Sequence, residues 1–352
     1  MSYSSNGDLS VSMPPKLWWW LLLGLVSTIV LLVLPAFTDE ADLMQLSIIC
    51  IFSILALSMS FMWGYAGMLS FGQTAFFGLG GYSYAVLSLN TGETTLSLVI
   101  AIILPAVFAA VLGYFMIYGR ISDVYFSVIT LVVTLILDKA MRATSAPIYV
   151  VGSVRLNGQN GIPGIPDLQV PWNTQLTLSI EGVFYLSVVL LLLIYIGLRM
   201  VLLTHFGRVL VGIRENERRA ELLGYDSRTY KLVTFVLLGA IAGLAGGLYA
   251  VWGNYVAPEM FNLNQAAQVI IWVIVGGKST LSGPIIGTGV VQYLTTFLGT
   301  AAVGQVNVVL GLILMVVVLF LDRGLVPSFV DLLRYLLARF RNTSFRMSSS
   351  LF

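Results

Sequence analysis

The stretch FGRVLVGIRENERRAELLGYDSRTYK (residues 206–231) decides the fold, because it is a charged island in an apolar chain. Only 10% of the 352 residues are charged. The island nevertheless concentrates basic and acidic side chains, namely Arg208, Arg214, Arg218, Arg219, Arg228 and Lys231 beside Glu215, Glu217, Glu221 and Asp226. Long apolar segments flank it on both sides. We therefore interpret residues 204–231 as a polar platform, held between two membrane-spanning halves, that docks a soluble partner.

Composition defines the class of protein. Apolar residues make up 58% of the chain and mean hydropathy is +0.93, whereas soluble globular chains are roughly half apolar and a quarter charged. We predict an all-α polytopic membrane protein. A net charge of +2 is too small to indicate a nucleic-acid partner. We expect no metal site, because His205 has no clustered ligands, and no enzymatic activity, because no nucleophile is paired with a base.

Apolar runs predict about ten transmembrane helices, since about 20 residues are needed to cross about 30 Å of hydrocarbon. The predicted spans are Leu17–Ala36, Leu43–Trp63, Met68–Leu89, Leu96–Tyr118, Val124–Met141, Gly182–Leu203, Leu232–Trp252, Ala266–Val275, Leu281–Thr300 and Val306–Leu321. Residues 17–322 then form the transmembrane domain. Residues 1–16 are predicted to be a cytoplasmic N-terminal segment, and residues 323–352 a cytoplasmic tail whose helix is amphipathic.

The distribution of Lys and Arg predicts the orientation, because these residues resist translocation. Arg120, the platform, Lys278 and the basic tail fall in alternate loops, so both termini are predicted to be cytoplasmic. The long segment 143–178 is placed on the outer side, although Arg142 precedes it. Asp138 and Arg142 are four residues apart, and we expect them to pair on one helix face.

The third predicted span is unusually rich in glycine and polar residues. Small residues allow helices to approach closely, and an amide inside hydrocarbon needs a partner or a water-filled path. The span as a whole is compatible with either a substrate path or tight packing, and for Gln73 the path is favoured. Gly239, Gly243 and Gly247 in the seventh span form a small-residue stripe, which indicates helix packing or an interface with a second subunit.

Two local patterns predict backbone structure. In the outer segment, Asn157 to Pro166 (NGQNGIPGIP) is so rich in turn residues that we expect no regular element there, and the segment is either a plain connection or a landing surface or gate. In the platform, Gly224 is expected to end one helix and Asp226 to cap the next.

Six motifs in order resemble one transporter family. They are GYAGMLSFGQTAFFGLGGY (residues 64–82), GRISDVYFSVITL (119–131), NGQNGI (157–162), GRVLVGIRENERRAELLGYDSRTYK (207–231), AGLAGGLYA (242–250) and VGGKSTLSGPIIG (275–287). As a set they resemble the permease subunits of branched-chain amino acid ABC importers, and more narrowly the longer of the two sister permeases. Val124–Ser127 and Val269–Val273 also resemble the related urea and short-amide permeases.

The resemblance implies partners and site residues. It implies a sister permease in a heterodimer, two cytoplasmic ABC ATPases that bind the ATP, a periplasmic or lipid-anchored solute-binding protein, and a bacterial plasma (inner) membrane. This chain then needs no cofactor of its own. The family pattern places the ATPase-contacting loop on Glu217, Arg218, Arg219, Ala220 and Gly224. In the outer loop the family has a glycine pair before Asn-Gly, whereas this chain carries Asn157 and Asn160.

The mechanism that follows is alternating access driven by the partner ATPases. Candidate residues of the substrate path are Gln73, Thr74, Tyr82, Tyr125 and Ser127. The competing hypotheses are a permease for urea or short amides, and, in a different class, an ion-coupled secondary transporter. Transporters of that last class usually carry ionisable residues well inside their spans, and here only Asp138 and Lys139 come near that description.

Overall fold

A computed structural model of the chain describes residues 38–170, 173–300, 311–312, 315 and 324–329. The predicted span Leu17–Ala36 lies outside the described residues, as do most of Val306–Leu321 and most of the tail. The helices are α1 Glu40–Gly64, α2 Gln73–Thr91, α3 Thr94–Gly113, α4 Asp123–Ala143, α5 Ile180–Leu203, α6 His205–Glu215, α7 Glu217–Leu222, α8 Ser227–Gly253, α9 Leu263–Gly276 and α10 Ser282–Thr300. A π-helical turn, Tyr114–Tyr118, extends α3.

Five of the described helices are long and apolar enough to cross a membrane: α1, α3 with its π-helical turn, α4, α5 and α8. Each coincides with a predicted span to within a few residues. The chain is therefore a multi-pass, mostly helical membrane protein. The total of ten spans and the cytoplasmic position of both termini stay predictions, because the structure contains no membrane and leaves both ends of the chain undescribed.

The centre of the bundle is α8, which packs against α2 and α3 through glycine. A Cβ atom added to Gly246 would lie 1.8 Å from the carbonyl oxygen of Phe77 on α2, and one added to Gly243 would lie 2.4 Å from the carbonyl oxygen of Ala101 on α3. The small-residue stripe of α8 is thus an internal packing surface. The idea that it forms an interface with a second subunit is wrong, because α2 and α3 already occupy it.

The third predicted span begins later than expected. Residues 65–72 are not helical, and α2 starts at Gln73 rather than Met68. Hydroxyl groups of α4 bind the backbone of this buried segment. Ser127 donates to the carbonyl oxygen of Leu69 (2.7 Å), while Thr130 accepts from the amide of Phe71 (3.1 Å). The polar face of α4 therefore replaces the helical hydrogen bonds that the segment lacks, as buried backbone at membrane depth requires.

Replacing Thr130 by valine is expected to destabilise the protein by about 1–3 kcal/mol, because the partly buried amide of Phe71 loses its acceptor. The measurement is the thermal unfolding midpoint of the purified chain in detergent. Thr295→Val is the matched control, since the hydroxyl of Thr295 donates only to the carbonyl oxygen of Val291 in its own helix (2.8 Å). Equal midpoints for the two variants would contradict the role assigned to Thr130.

The predicted outer segment (residues 143–178) contains regular structure, so the expectation of none between Asn157 and Pro166 is wrong. Its strands are β1 Val150–Val151, β2 Val154–Arg155, β3 Ile162–Pro163, β4 Gln169–Val170 and β5 Asn173–Thr177, and β3 pairs with β6 Tyr255–Val256, which follows α8. A short 3-10 turn, Gly158–Asn160, precedes β3. Ile162 and Ile165 are buried, and their burial fixes the segment on the helices in spite of its turn-rich composition.

The expected pair between Asp138 and Arg142 is present. The Nε atom of Arg142 lies 2.9 Å from a carboxylate oxygen of Asp138, and its Nη1 atom lies 3.3 Å from Glu259. The two carboxylates neutralise the positive charge of Arg142, which explains how a basic residue can adjoin the predicted outer segment.

Candidate functional site

The platform consists of α6, α7 and the start of α8, and its sequence contains the signals that begin and end each helix. The hydroxyl of Thr204 accepts from the amide of Gly207 (3.4 Å) at the start of α6. The side chain of Asn216 accepts from the amide of Arg219 (2.9 Å) and starts α7. The local sequence therefore contains the capping residues that produce a helix, a break and a second helix.

Gly224 ends α7 as predicted. Its φ angle is +91°, in the region that favours glycine. Its amide donates to the carbonyl oxygen of Glu221 (2.9 Å), and the amide of Tyr225 donates to that of Ala220 (3.2 Å), which is the Schellman arrangement at a helix end. Asp226 then caps α8 by accepting from the amide of Arg228 (3.3 Å). The hydroxyl of Thr229 also donates to Asp226 (2.6 Å) and lowers the pKa of that carboxyl.

A small apolar cluster holds the platform together. Val209 and Ile213 of α6 bury Ala220 of α7, and Tyr225 and Tyr230 pack around them. This cluster explains why a short helix of six residues keeps a defined position, since isolated helices of that length are unstable in water.

Two charged contacts connect α6 and α7 to the membrane helices. The ammonium of Lys231 in α8 lies 2.7 Å from a carboxylate oxygen of Glu217 in α7. The guanidinium of Arg214 in α6 donates to the carbonyl oxygen of Gly64 at the end of α1 and also pairs with Glu215. These contacts fix α6 to α1 and α7 to α8.

The exposed face of the platform combines apolar and basic groups. A groove of about 330 Å³ has apolar contributions from Val209, Ala220 and Leu223 and is flanked by Arg208 and Arg219. Beside it, the side chains of Leu222 and Leu223 are 84% and 73% exposed. Two adjacent leucines this exposed in a charged segment are typical of a surface that contacts a partner protein or the membrane.

The predicted docking residues divide into two groups. Arg218 and Arg219 are exposed, whereas Ala220 is buried in the cluster, Glu217 pairs with Lys231, and Gly224 shapes the helix end. The last three help to build the platform, and Ala220 also contributes to the wall of the groove. Sequence reasoning missed Leu222, Leu223 and the contact of Arg214 with α1. The first two carry a signal in the sequence, because two adjacent leucines directly precede a helix-ending glycine in a charged segment.

The predicted path residues lie in different environments. Gln73 is buried and accepts from the hydroxyl of Ser58 (3.1 Å), and Thr74 donates to the carbonyl oxygen of Phe71 (3.3 Å). Tyr82 is buried, and its hydroxyl has no partner among the described residues. Ser127 binds the segment before α2, as described above, so it lies on the inner face of α4. Tyr125 lies on the outer face of the same helix and is 67% exposed.

The two asparagines of the outer segment have backbone roles. Asn157 adopts a φ angle of +55° before the 3-10 turn. The carbonyl oxygen of Asn160 accepts from the hydroxyl of Tyr255 (2.9 Å), which connects the turn to the strand after α8.

A bundle of apolar helices around a glycine-packed centre, with a charged platform fixed to two of them, defines a multi-pass membrane protein. The chain belongs to the family described as branched-chain amino acid transport system / permease component, whose model matches residues 43–320. That match covers the helices, the platform and the outer segment described above.

Individual relatives of the chain have names that agree with this family. The chain is 27% identical over 256 residues to the high-affinity branched-chain amino acid transport system permease protein LivM of Escherichia coli K12, covering 65% of this chain and 57% of that protein. It is 24% identical over 274 residues to the probable permease protein LivM of Methanocaldococcus jannaschii (67% of this chain, 75% of that protein). A 157-residue match to the probable permease protein LivH of the same organism is 29% identical (42% and 47%). No solved structure matches the chain.

Proposed function

We propose that this chain is the permease subunit of an ATP-binding-cassette importer for branched-chain or related amino acids in a bacterial plasma membrane. A solute-binding protein delivers the substrate to the outer face. Two ATPases bind and hydrolyse ATP on the cytoplasmic side, and the chain itself is not catalytic. The names of the relatives support the substrate class, and membership of the permease family supports the role.

The observation that carries this proposal is the platform. It offers an apolar groove with basic flanks to a soluble partner, and its two charged contacts fix it to α1 and α8. Since glycines of α8 pack closely against α2 and α3, closure of the ATPases would move these four helices together. Such rigid-body movement of one group of helices against another is the essence of alternating access.

A sister permease completes the assembly that we propose. The outward face of α4 carries the apolar residues Val124, Tyr125, Val128, Val132 and Ile136, all exposed in this chain. An apolar face of this kind serves a lipid environment or a second permease equally well. We place the substrate path between the two permeases, where Tyr125 lies on the exposed side of α4.

An ion-coupled transporter receives less support. Asp138 is the one charged residue that is buried among those the structure describes, and it is already paired with Arg142. Val124–Ser127 and Val269–Val273 resemble urea and short-amide permeases, which keeps that substrate class as the alternative, whereas the names of the relatives favour amino acids.

Replacing Leu222 and Leu223 together by glutamate is expected to abolish the association with ATPases, because two carboxylates would have to be desolvated in an apolar interface. The measurement is a pull-down of the tagged chain from membranes in mild detergent, followed by mass spectrometry and an ATP hydrolysis assay. The wild type is expected to retain the ATPases and a sister permease.

The matched control is Ile148→Glu/Tyr149→Glu, which places two carboxylates on another exposed apolar pair, in the outer segment. It should retain the ATPases. If the wild-type chain purifies without any ATPase, or if both double variants lose it equally, the docking role of the platform is wrong.

A further inference from the structure

A second cavity, of about 410 Å³, lies between the α3–α4 turn and the platform. This volume is within the range of small-molecule sites, roughly 300–1,000 Å³. Met68, Ile117 and Phe126 supply an apolar wall and are themselves buried. Charged residues make up most of the rest of the wall, beside Ile121, Ser122 and Ser227. They come from the turn on one side and from α7 and α8 on the other.

Some of the charged residues already have partners. Lys231 and Glu217 form the ion pair described above, Glu221 accepts from the hydroxyl of Ser227 (2.7 Å), and the guanidinium of Arg228 lies 6.0 Å from the centre of the Tyr118 ring. These contacts occupy one part of the cavity wall and fix its shape.

Three other charged side chains have no side-chain partner among the described residues: Arg120, Asp123 and Arg218. Two are guanidinium groups and one is a carboxylate. Arg120 is held in the turn with a φ angle of +53°, where the amide of Ile121 donates to the carbonyl oxygen of Met116 (3.3 Å). The cavity therefore combines free positive charge, free negative charge and an apolar wall.

We infer that this cavity binds a free α-amino acid with an apolar side chain, in its zwitterionic form. A guanidinium binds a carboxylate through two parallel hydrogen bonds, so Arg120 and Arg218 recognise the carboxylate of the ligand. Asp123 recognises its ammonium group, and Met68, Ile117 and Phe126 receive its side chain. A ligand with only one charge leaves either the arginines or the aspartate unsatisfied.

We expect the amino acid bound in this cavity to regulate transport. This expectation rests on the proposed function. The cavity joins the start of α4 to the platform on the predicted cytoplasmic side, where the transported amino acid accumulates. A bound amino acid bridges the turn and the platform and restrains their relative movement. The importer is then slowed by its own product.

The first experiment measures binding of radiolabelled leucine to the purified full-length chain in detergent, by equilibrium dialysis and without any partner protein. Wild type is expected to bind saturably. Leucinamide, which lacks the carboxylate, and 4-methylpentanoate, which lacks the ammonium group, are expected to compete at least about tenfold more weakly, a factor that corresponds to 1.4 kcal/mol.

Arg120→Gln and Asp123→Asn are each expected to weaken leucine binding by about tenfold or more. Ile121→Trp is expected to abolish it by filling the cavity without removing a charge. Lys139→Gln, which changes an exposed residue at the opposite end of α4, is the control and should bind as the wild type does. Thermal midpoints of all variants show whether each one is folded.

Several outcomes would overturn the inference: no saturable binding by the wild type, equal competition by leucinamide, or unchanged binding by folded Arg120→Gln, Asp123→Asn and Ile121→Trp. Binding of dihexanoylphosphatidylethanolamine without binding of leucine would assign the cavity to a lipid headgroup instead. Leucine uptake by the complete importer in proteoliposomes separates the two proposals. Uptake without leucine binding to this chain refutes the cavity site alone, whereas binding without ATP-dependent uptake refutes the proposed function alone.

Discussion

Gly246→Ala is expected to prevent stable packing of the helix bundle, and this is the largest effect on stability that we expect. The added Cβ atom would lie 1.8 Å from the carbonyl oxygen of Phe77, and that backbone atom cannot move unless α2 and α8 separate. Overpacking of a core typically costs about 1–3 kcal/mol and occasionally more. We expect most of the protein to aggregate in detergent and the remainder to unfold several degrees lower, as measured by size-exclusion chromatography with a thermal ramp.

Gly197→Ala in α5 is the matched control. The same atom is added to a membrane helix, but nothing lies within 4 Å of it. Alanine is also the better helix former by about 1 kcal/mol, so this variant should be as stable as the wild type or more so. If the two variants behave alike, the close contact of α8 with α2 is not what holds the bundle together.

Arg214→Ala is expected to uncouple ATP hydrolysis from uptake, and this is the largest effect on function that we expect. The substitution removes the hydrogen bond to the carbonyl oxygen of Gly64, so the platform loses its connection to α1. A hydrogen bond to a charged group contributes about 1.5–3 kcal/mol, and 1.4 kcal/mol corresponds to a factor of ten. We therefore expect uptake of leucine by the reconstituted importer to fall about tenfold or more, while ATP hydrolysis stays within about twofold of the wild type.

Glu215→Ala controls for the ion pair that Arg214 also makes. It removes the carboxylate, leaves the bond to Gly64 intact, and should leave coupling unchanged. A parallel loss of hydrolysis and uptake in Arg214→Ala would show that the residue supports ATPase binding rather than transmission. Coupling lost equally in both variants would assign the effect to the ion pair.

Local signals were sufficient for much of the platform. Gly224 ends α7 and Asp226 caps α8 as predicted, because a helix end depends on the few residues around it. The same is true of Asp138 and Arg142, whose spacing of four already places them on one face. The sequence was less informative about which residues contact the ATPases. Ala220 and Gly224 build the platform, and the exposed side chains of Leu222 and Leu223 were overlooked because periodicity alone does not show which apolar residues lack a partner.

The sequence predictions were wrong where segments far apart in the chain contact each other. Met68 to Gly72 is apolar enough to continue a helix, yet it is unwound because Ser127 and Thr130, some 60 residues later in the chain, supply hydrogen bonds to its backbone. The NGQNGIPGIP stretch was expected to be irregular, but its β3 strand pairs with residues after α8. In both cases the deciding partner is remote in sequence.

The sequence by itself determined that this is a polytopic membrane protein with a charged platform, because hydrophobic length, charge placement and helix caps are local properties. Its motifs, taken as a set, also resemble the branched-chain amino acid permeases. The tertiary structure alone decided that the glycine stripe of α8 is internal, that Arg214 contacts α1, and that Arg120 and Asp123 share a cavity with the platform. These features depend on distances between segments far apart in the chain, and no local pattern encodes such distances.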